Sequence, residues 1–366
     1  MNIAINGFGR IGRQAFKIAS AKPDVHVVAI NDIASPRILA HLLKYDTAYG
    51  IFPQELKLQE DGALSSPEGT ETTAEHFYTA AANLPQTTYL VVDGKKTLML
   101  TQKDPALLPW KDLAVDAVLE CTGRLTKDGA SKVHVAAGAK TVVVSAPVAG
   151  EGGMQTFILG VNSADYTNQT VVSNASCTTN CIAPVVKVLN DTFGIVKSTM
   201  TTIHAVTAEQ NLVDGAPPGL HADLRRARAG LCNMIPTTTG AAKAVGEVIP
   251  ALKGVFDGLA IRVPIITGSL VDLTVLIART TTAQEVNQAF TNAEHTAAYQ
   301  GVLQTTFEPI VSSDIVGNPH SAIVDLSLTK VVAGDLVKVI AWYDNEWGYA
   351  NRLVELALML GGSHRV

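Results

Sequence analysis

Short apolar runs alternate with helix-spaced apolar positions through the first third of the chain. Ile3 to Asn6 and Val25 to Asn31 read as strands, followed by helical patterns from about Ile11 to Ser20 and from about Pro36 to Leu43. Such βαβ alternation predicts a parallel sheet. Further strands are expected at Val115 to Glu120 and Thr141 to Ser145, with a helix over Ser131 to Gly138 between them, so this half is expected to be doubly wound. Two apolar runs within Leu90 to Leu98 flank Asp93-Gly94, a pair that favours a two-residue hairpin turn. Ahead of it, Gly62 to Thr88 is rich in Ser, Thr and Ala; Thr72-x-x-Glu75 inside it matches a capping box, with a surface loop as the alternative.

Beyond Cys177 the pattern changes to longer strand-like runs at Thr199 to His204, Leu259 to Val263, Leu270 to Ile277 and Leu336 to Trp342. Mixed or antiparallel pairing is expected there. The tail from Trp347 to Leu360 carries the dense apolar spacing of a buried final helix. The expected class is therefore α/β: a Rossmann-type doubly wound parallel sheet, plus an α+β domain with a mostly antiparallel or mixed sheet. Domain boundaries are expected at 1–176 for the first, completed by a C-terminal helix over 345–366, and at 177–344 for the second.

Composition narrows the function. With 366 residues and 47% hydrophobic side chains, the chain exceeds what one core usually holds. A formal charge of -5 without long single-sign runs argues against nucleic acid or an anionic membrane as a main partner. Four cysteines, at 121, 177, 181 and 232, are too few and too unevenly spaced for a disulfide framework. The opening MNIAINGFGR has no secretory pattern, and no apolar stretch approaches the ~20 residues of a membrane span, so the reading expects a cytoplasmic chain.

Directly after the first strand stands Gly7-x-Gly9-x-x-Gly12, leading into a helix. Alone, GxGxxG is a weak signal. In this setting the first glycine permits a tight turn, the second a close approach to a pyrophosphate and the third close helix packing. Asp32 lies 20 residues beyond Gly12, where a carboxylate would accept from a ribose 2′-hydroxyl and repel a 2′-phosphate. NAD is thus expected over NADP; a strand-end or turn cap is the plainer reading of Asp32.

Cys177 precedes the apolar stretch Ile182 to Leu189, which places it at or just before a helix N-terminus. The field there favours a thiolate, so the thiol pKa is expected to be lowered. Cys181, four residues on, reads as structural, with a metal or redox role as the alternative; Cys121 and Cys232 read as core. A base must come from elsewhere, and among nine histidines spacing alone selects none.

Four blocks carry a resemblance: Ala4 to Arg13 (AINGFGRIGR), Ser173 to Cys181 (SNASCTTNC), Thr237 to Val245 (TTTGAAKAV) and Trp342 to Glu346 (WYDNE). In this order and over nearly the whole chain, they resemble glyceraldehyde-3-phosphate dehydrogenases. The resemblance implies that Cys177 is the nucleophile and His204 its base. It implies that the loop of Gly7, Phe8, Gly9, Arg10, Ile11 and Gly12, with Asp32, Lys103, Thr122 and Ser145, contacts NAD, and that Asn345 orients the nicotinamide. Thr207 and Arg262 match positions that hold the substrate phosphate; Ser176, Thr178, Arg226, Thr239 and Gly240 match those near inorganic phosphate. Glyceraldehyde 3-phosphate and phosphate are the implied substrates, and a homotetramer the implied assembly.

Two stretches depart from the family pattern by being longer, Gly62 to Thr88 and Val213 to Asp223. The second puts NAD preference and tetramer packing in question. Glu209 stands where a shorter polar residue is more usual, and its charge is expected to weaken the substrate-phosphate site. Rival readings are an erythrose-4-phosphate dehydrogenase, a non-phosphorylating enzyme, and a catalytically silent dinucleotide-binding sensor.

Overall fold

Strand Asn2–Asn6 pairs in parallel with His26–Asn31 on one side and with Ala117–Glu120 on the other. That branching defines the first sheet of this computed structural model, which describes residues 1–60, 63–65, 87–127, 129–148, 154–216 and 223–362, with the side chains of 63–65 excepted. On the Ala117–Glu120 side the parallel order continues through Thr141–Val144 to Val171–Ser173. On the other it continues through Lys95–Leu100, after which Thr88–Val92 and Leu56–Glu60 run antiparallel. The chain leaves Asn2–Asn6 in one direction and later returns on the other side of it. A crevice therefore opens beyond the C-terminal strand ends, the usual ligand position in doubly wound sheets. The hairpin expected at Asp93-Gly94 is present, with φ of 47° and 79° at the two turn residues, as a type I′ turn requires.

Helix Arg10–Ser20 follows directly on the glycine loop, and Pro36–Lys44 carries its proline at the helix start, where the missing N–H costs nothing. Trp110, Val118 and Val142 are fully buried in the apolar core of this unit. The unit comprises Met1–Gln155, Asn168–Ser173 and the chain from Leu353. Thr72-x-x-Glu75 lies outside the described residues, as do 217–222 of the longer Val213 to Asp223 stretch.

The second unit, Thr156–Thr167 and Asn174–Arg352, is built on a seven-stranded mixed sheet. Ile195–Ala205 sits inside it, antiparallel to Ser269–Ile277 and parallel to Phe256–Val263. Ser269–Ile277 alternates buried and half-buried residues along its whole length, the period-two signature of a strand with one face on a core. Helix Cys177–Phe193 supplies much of that core through Ile182, Val185, Val186 and Leu189, all fully buried. A Thr282/Glu285 capping box opens helix Ala283–Glu294. Among the described residues no helix is long and apolar enough to cross a membrane.

Candidate active site

The three glycines of the loop occupy three different environments. Gly7 has φ +93°, and a Cβ there would lie 2.7 Å from backbone atoms of Cys121 and Thr122. A Cβ on Gly12 would lie 2.1 Å from the carbonyl oxygen of Gly7, so only glycine lets the helix pack this closely. At Gly9, by contrast, a Cβ would meet nothing within 4 Å. The protein does not use that space, which is what a ligand approaching the backbone needs. Asp32 receives the N–H of Phe8 at 2.7 Å and that of Ala34 at 2.9 Å, which stations its carboxylate beside the loop.

A cavity of about 360 Å³ opens here, lined among others by Gly7, Gly9, Asp32, Lys103, Cys121 and Thr122. Its position, open glycine and carboxylate fit a dinucleotide. Phe8 is buried and does not line it, and Arg10 turns to Asp46, 2.8 Å away. Ser145 directly follows the neighbouring strand Thr141–Val144, its N–H on the Glu120 carbonyl at 2.9 Å. Sequence reasoning missed the support beneath. Buried Glu120 accepts from the N–H of Thr122 at 2.8 Å, from the Thr122 hydroxyl, from Asn6 Nδ2 at 2.6 Å and from His134 Nε2 at 2.9 Å. His134 Nδ1 accepts from the Trp110 indole at 3.0 Å, which assigns the proton to Nε2.

In the second unit, a turn with Ala175 at φ 51° leads into helix Cys177–Phe193. Ser176 is the N-cap: its Oγ accepts from the N–H of Thr179 at 3.1 Å, and Cys177 opens the first turn. Cys177 Sγ stands 3.3 Å from Nε2 of His204, which projects from near the end of strand Ile195–Ala205. The other ring nitrogen, Nδ1, lies 2.7 Å from the Ala205 carbonyl oxygen, an atom that can only accept. The Ala205 carbonyl favours the tautomer with the proton on Nδ1 and the Nε2 lone pair facing the thiol, whereas the Arg262 guanidinium, which can only donate, opposes it at the same Nδ1. Arg262, across the ladder from His204, contacts the same Nδ1 and donates to the Ala205 oxygen at 3.2 Å.

The electrostatics revise the expected lowering of the thiol pKa. Burial pushes Cys177 up, and the opposing pulls from the Arg262 charge, the Thr178 side chain and the local backbone N–H groups do not overcome it. His204 is driven down to about 3 by burial, then by the Arg262 charge. The resting pair is accordingly a neutral thiol beside a neutral imidazole, with donors already in place for the thiolate. A further packing contact comes from Tyr343, whose ring meets His204 edge-on at 5.9 Å between centroids. Its hydroxyl lies 2.9 Å from both Thr178 Oγ1 and Thr202 Oγ1.

The implied phosphate ligands divide by how they are held. Thr239 accepts from the N–H of Ala241 at 3.2 Å and, with Gly240, forms the start of helix Ala241–Val248. Arg226 is buried, bonded to Glu209, to Thr237 Oγ1 at 2.9 Å and to the Thr238 carbonyl at 3.2 Å. The Glu209 charge, expected to weaken the substrate-phosphate site, is thus paired with Arg226. Thr207 donates through both its N–H and its hydroxyl to Gln210 Oε1, at 2.8 and 3.1 Å. Arg262 keeps its buried Nε without an acceptor among the described residues.

Asn345 Oδ1 accepts from Ser269 Oγ at 2.8 Å and from the N–H of Gly268 at 3.2 Å, which leaves its Nδ2 to donate elsewhere. Cys181 is fully buried, consistent with its structural reading. The remaining two cysteines depart from expectation: Cys232 is exposed, and Cys121 lines the cavity because it follows the end of strand Ala117–Glu120. Small and apolar neighbours in sequence do not imply burial where the chain is a surface turn.

Comparison with known sequences gives two family matches. Residues 1–85 match the glyceraldehyde 3-phosphate dehydrogenase NAD binding domain, and residues 176–345 match the glyceraldehyde 3-phosphate dehydrogenase C-terminal domain. Among curated relatives, the glyceraldehyde-3-phosphate dehydrogenase of Mycobacterium tuberculosis is 47% identical over 369 residues, covering 99% of each chain. That of Mycolicibacterium smegmatis is 45% identical over 370 residues, again 99% of each. Glyceraldehyde-3-phosphate dehydrogenase 1 of Streptomyces avermitilis is 46% identical over 364 residues, 99% of this chain and 98% of the relative.

Proposed function

The chain belongs to the glyceraldehyde 3-phosphate dehydrogenase family of NAD-dependent oxidoreductases, and from that premise we propose that it oxidises glyceraldehyde 3-phosphate, with inorganic phosphate as co-substrate, through a thioester on Cys177. The observation that carries this reading is the 3.3 Å approach of Sγ to Nε2, with Nδ1 tied to the Ala205 carbonyl. His204 takes the thiol proton, and Sγ adds to the aldehyde carbon to give a hemithioacetal. The Nε2–H so formed donates to the developing oxyanion. When the hemithioacetal collapses to the thioester, His204 is again positioned to take the hydroxyl proton. NAD, when bound, supplies the acceptor for the hydride. Attack of phosphate on the thioester releases 1,3-bisphosphoglycerate and returns the thiol.

Gly7, Gly9 and the backbone at the start of helix Arg10–Ser20, with Asp32, Lys103, Thr122 and Ser145, are the proposed cofactor contacts, with Asn345 Nδ2 as donor to the nicotinamide carboxamide. Thr207 and Arg262 hold the substrate phosphate in this reading; the buried, acceptor-free Nε of Arg262 supports it. Thr178, Thr239, Gly240 and Arg226 serve inorganic phosphate. Ser176 contributes as the cap that fixes Cys177 at the helix start. A homotetramer is the proposed assembly, supported by exposed apolar side chains at Leu212, Val213, Leu224 and Met234. Four free thiols fit a cytoplasmic location.

Rapid mixing with substrate and NAD tests the thioester. Without phosphate, about one reduced cofactor per subunit should form in a burst and then stop, because the acyl group stays on sulfur. Addition of phosphate should start steady turnover. Steady turnover at the full rate without phosphate would overturn the reading.

A further inference from the structure

The turn after strand Ile195–Ala205 holds a polar side chain that the proposed chemistry leaves unused. Gln210 closes this turn through its own N–H, which donates to the Thr207 carbonyl at 2.9 Å. Its Oε1 accepts from the N–H of Thr207 at 2.8 Å and from the Thr207 hydroxyl at 3.1 Å. A backbone N–H can only donate, so the amide cannot be flipped: Oε1 must face Thr207 and Nε2 must face away. That Nε2 is buried and has no acceptor among the described residues. The side chain is also backed by Gly230, where a Cβ would stand 2.9 Å from the Gln210 Cβ.

Arg262 presents the same condition, a buried Nε donor without an acceptor. The two residues leave the same end of the sheet. His204 is in register with Arg262 on the parallel neighbour, and the N–H of Val206 then bonds the Ile265 carbonyl at 3.0 Å. A buried donor left without a partner carries a desolvation cost that nothing offsets. A group with several acceptor oxygens and negative charge is the kind of partner that such donors require.

We propose that Gln210 is a specificity-determining residue that donates through Nε2 to the phosphate of the substrate while its Oε1 holds Thr207 in place. The inference rests on the proposed placement of that phosphate at Thr207 and Arg262. A neutral amide here adds directional recognition of a phosphomonoester and leaves the charge to Arg262. An aldehyde without phosphate gains nothing from Gln210.

The test compares glyceraldehyde 3-phosphate with unphosphorylated glyceraldehyde in steady-state assays of the full chain with NAD. Gln210→Glu keeps shape and an acceptor for Thr207 but turns the donor into an anion. KM for the phosphorylated aldehyde should rise about 30-fold or more, with kcat/KM for glyceraldehyde within about twofold of the native value. Gln210→Met adds no charge and removes both the Nε2 donor and the Oε1 that holds Thr207; it should raise the same KM by about 5- to 20-fold, so the test survives if the glutamate variant folds poorly. Equal losses on both aldehydes would make Gln210 structural and overturn the inference, as would no loss on either. Arg262→Leu separates this inference from its premise. If that variant keeps the native preference for the phosphorylated aldehyde, the phosphate placement itself fails. If the preference collapses in Arg262→Leu and persists in both Gln210 variants, only the role of Gln210 fails.

Discussion

The glycine loop of the first unit and the thiol–imidazole pair of the second solve their tasks in opposite ways. In the loop, backbone makes the site: side chains are removed at Gly7 and Gly12 so that main-chain atoms can touch, and at Gly9 so that space stays open. All of its parts lie within six consecutive residues. In the pair, side chains make the site, and 27 residues separate Cys177 from His204. Their approach depends on a helix start, a strand end and the ladder that sets Arg262 against His204. A local site can be damaged by one added methyl group; a distributed one is damaged by removing one functional group.

Deletion of the nucleophile should give the largest effect. Cys177→Ala is expected to lower turnover by about 10⁴-fold or more while leaving NAD titration of the protein unchanged. A parallel loss of NAD binding would contradict the assignment of cofactor binding to the glycine loop.

The glycines come next, and they should part company. Gly12→Ala places a methyl group 2.1 Å from a backbone oxygen and is expected to lower unfolding stability by about 1–3 kcal/mol or more, read by denaturant titration. Gly9→Ala meets no protein atom within 4 Å and should leave stability within about 0.5 kcal/mol of native. Its NAD affinity should nonetheless fall by about tenfold or more, because the methyl group occupies the approach of the pyrophosphate. Equal behaviour of the two variants in both assays would remove the distinction between a packing glycine and a ligand-facing one.

The smallest effect concerns acid. His204 is held down to about 3 in the folded protein, against 6.5 for a free imidazole. Between those values the unfolded chain takes up a proton that the folded chain refuses, so stability from this group is lost as pH falls from about 6.5. Between pH 6.5 and 5.5 the loss should be about 1 kcal/mol, and His204→Asn should lack it. Parallel stability curves for the native chain and the variant over that window would contradict the neutral resting imidazole.

The same contrast governs what the sequence disclosed. Elements with clean periodicity were legible: the tail helix Trp347–Leu360 and the Asp93-Gly94 hairpin fall where the pattern put them. Helix Ala283–Glu294 escaped because only Val286 and Phe290 are buried along it, too few to set a period; the Thr282/Glu285 box was its one readable mark. Strand Ala322–Val332 escaped because polar Asp325 and Thr329 are buried among its apolar residues. The roles of the loop glycines could be argued from local spacing, whereas His204 was selected only by resemblance, since nothing near residue 204 in sequence points to residue 177. The rise of the thiol pKa was not legible at all, because helix position can be read from a pattern and burial by distant strands cannot. Gln210 and Tyr343 belong to the same class: their partners are set by the folded turn and the sheet.

The central claim is that His204 makes the sulfur of Cys177 reactive, and alkylation by iodoacetamide at pH 7 measures this directly. Mass spectrometry of the modified chain would report the rate at Cys177 for the native protein and for His204→Asn. The account predicts that the variant reacts at least about tenfold more slowly, with the gap narrowing as pH rises beyond 9 and the thiol ionises unaided. Equal rates at pH 7 would contradict it.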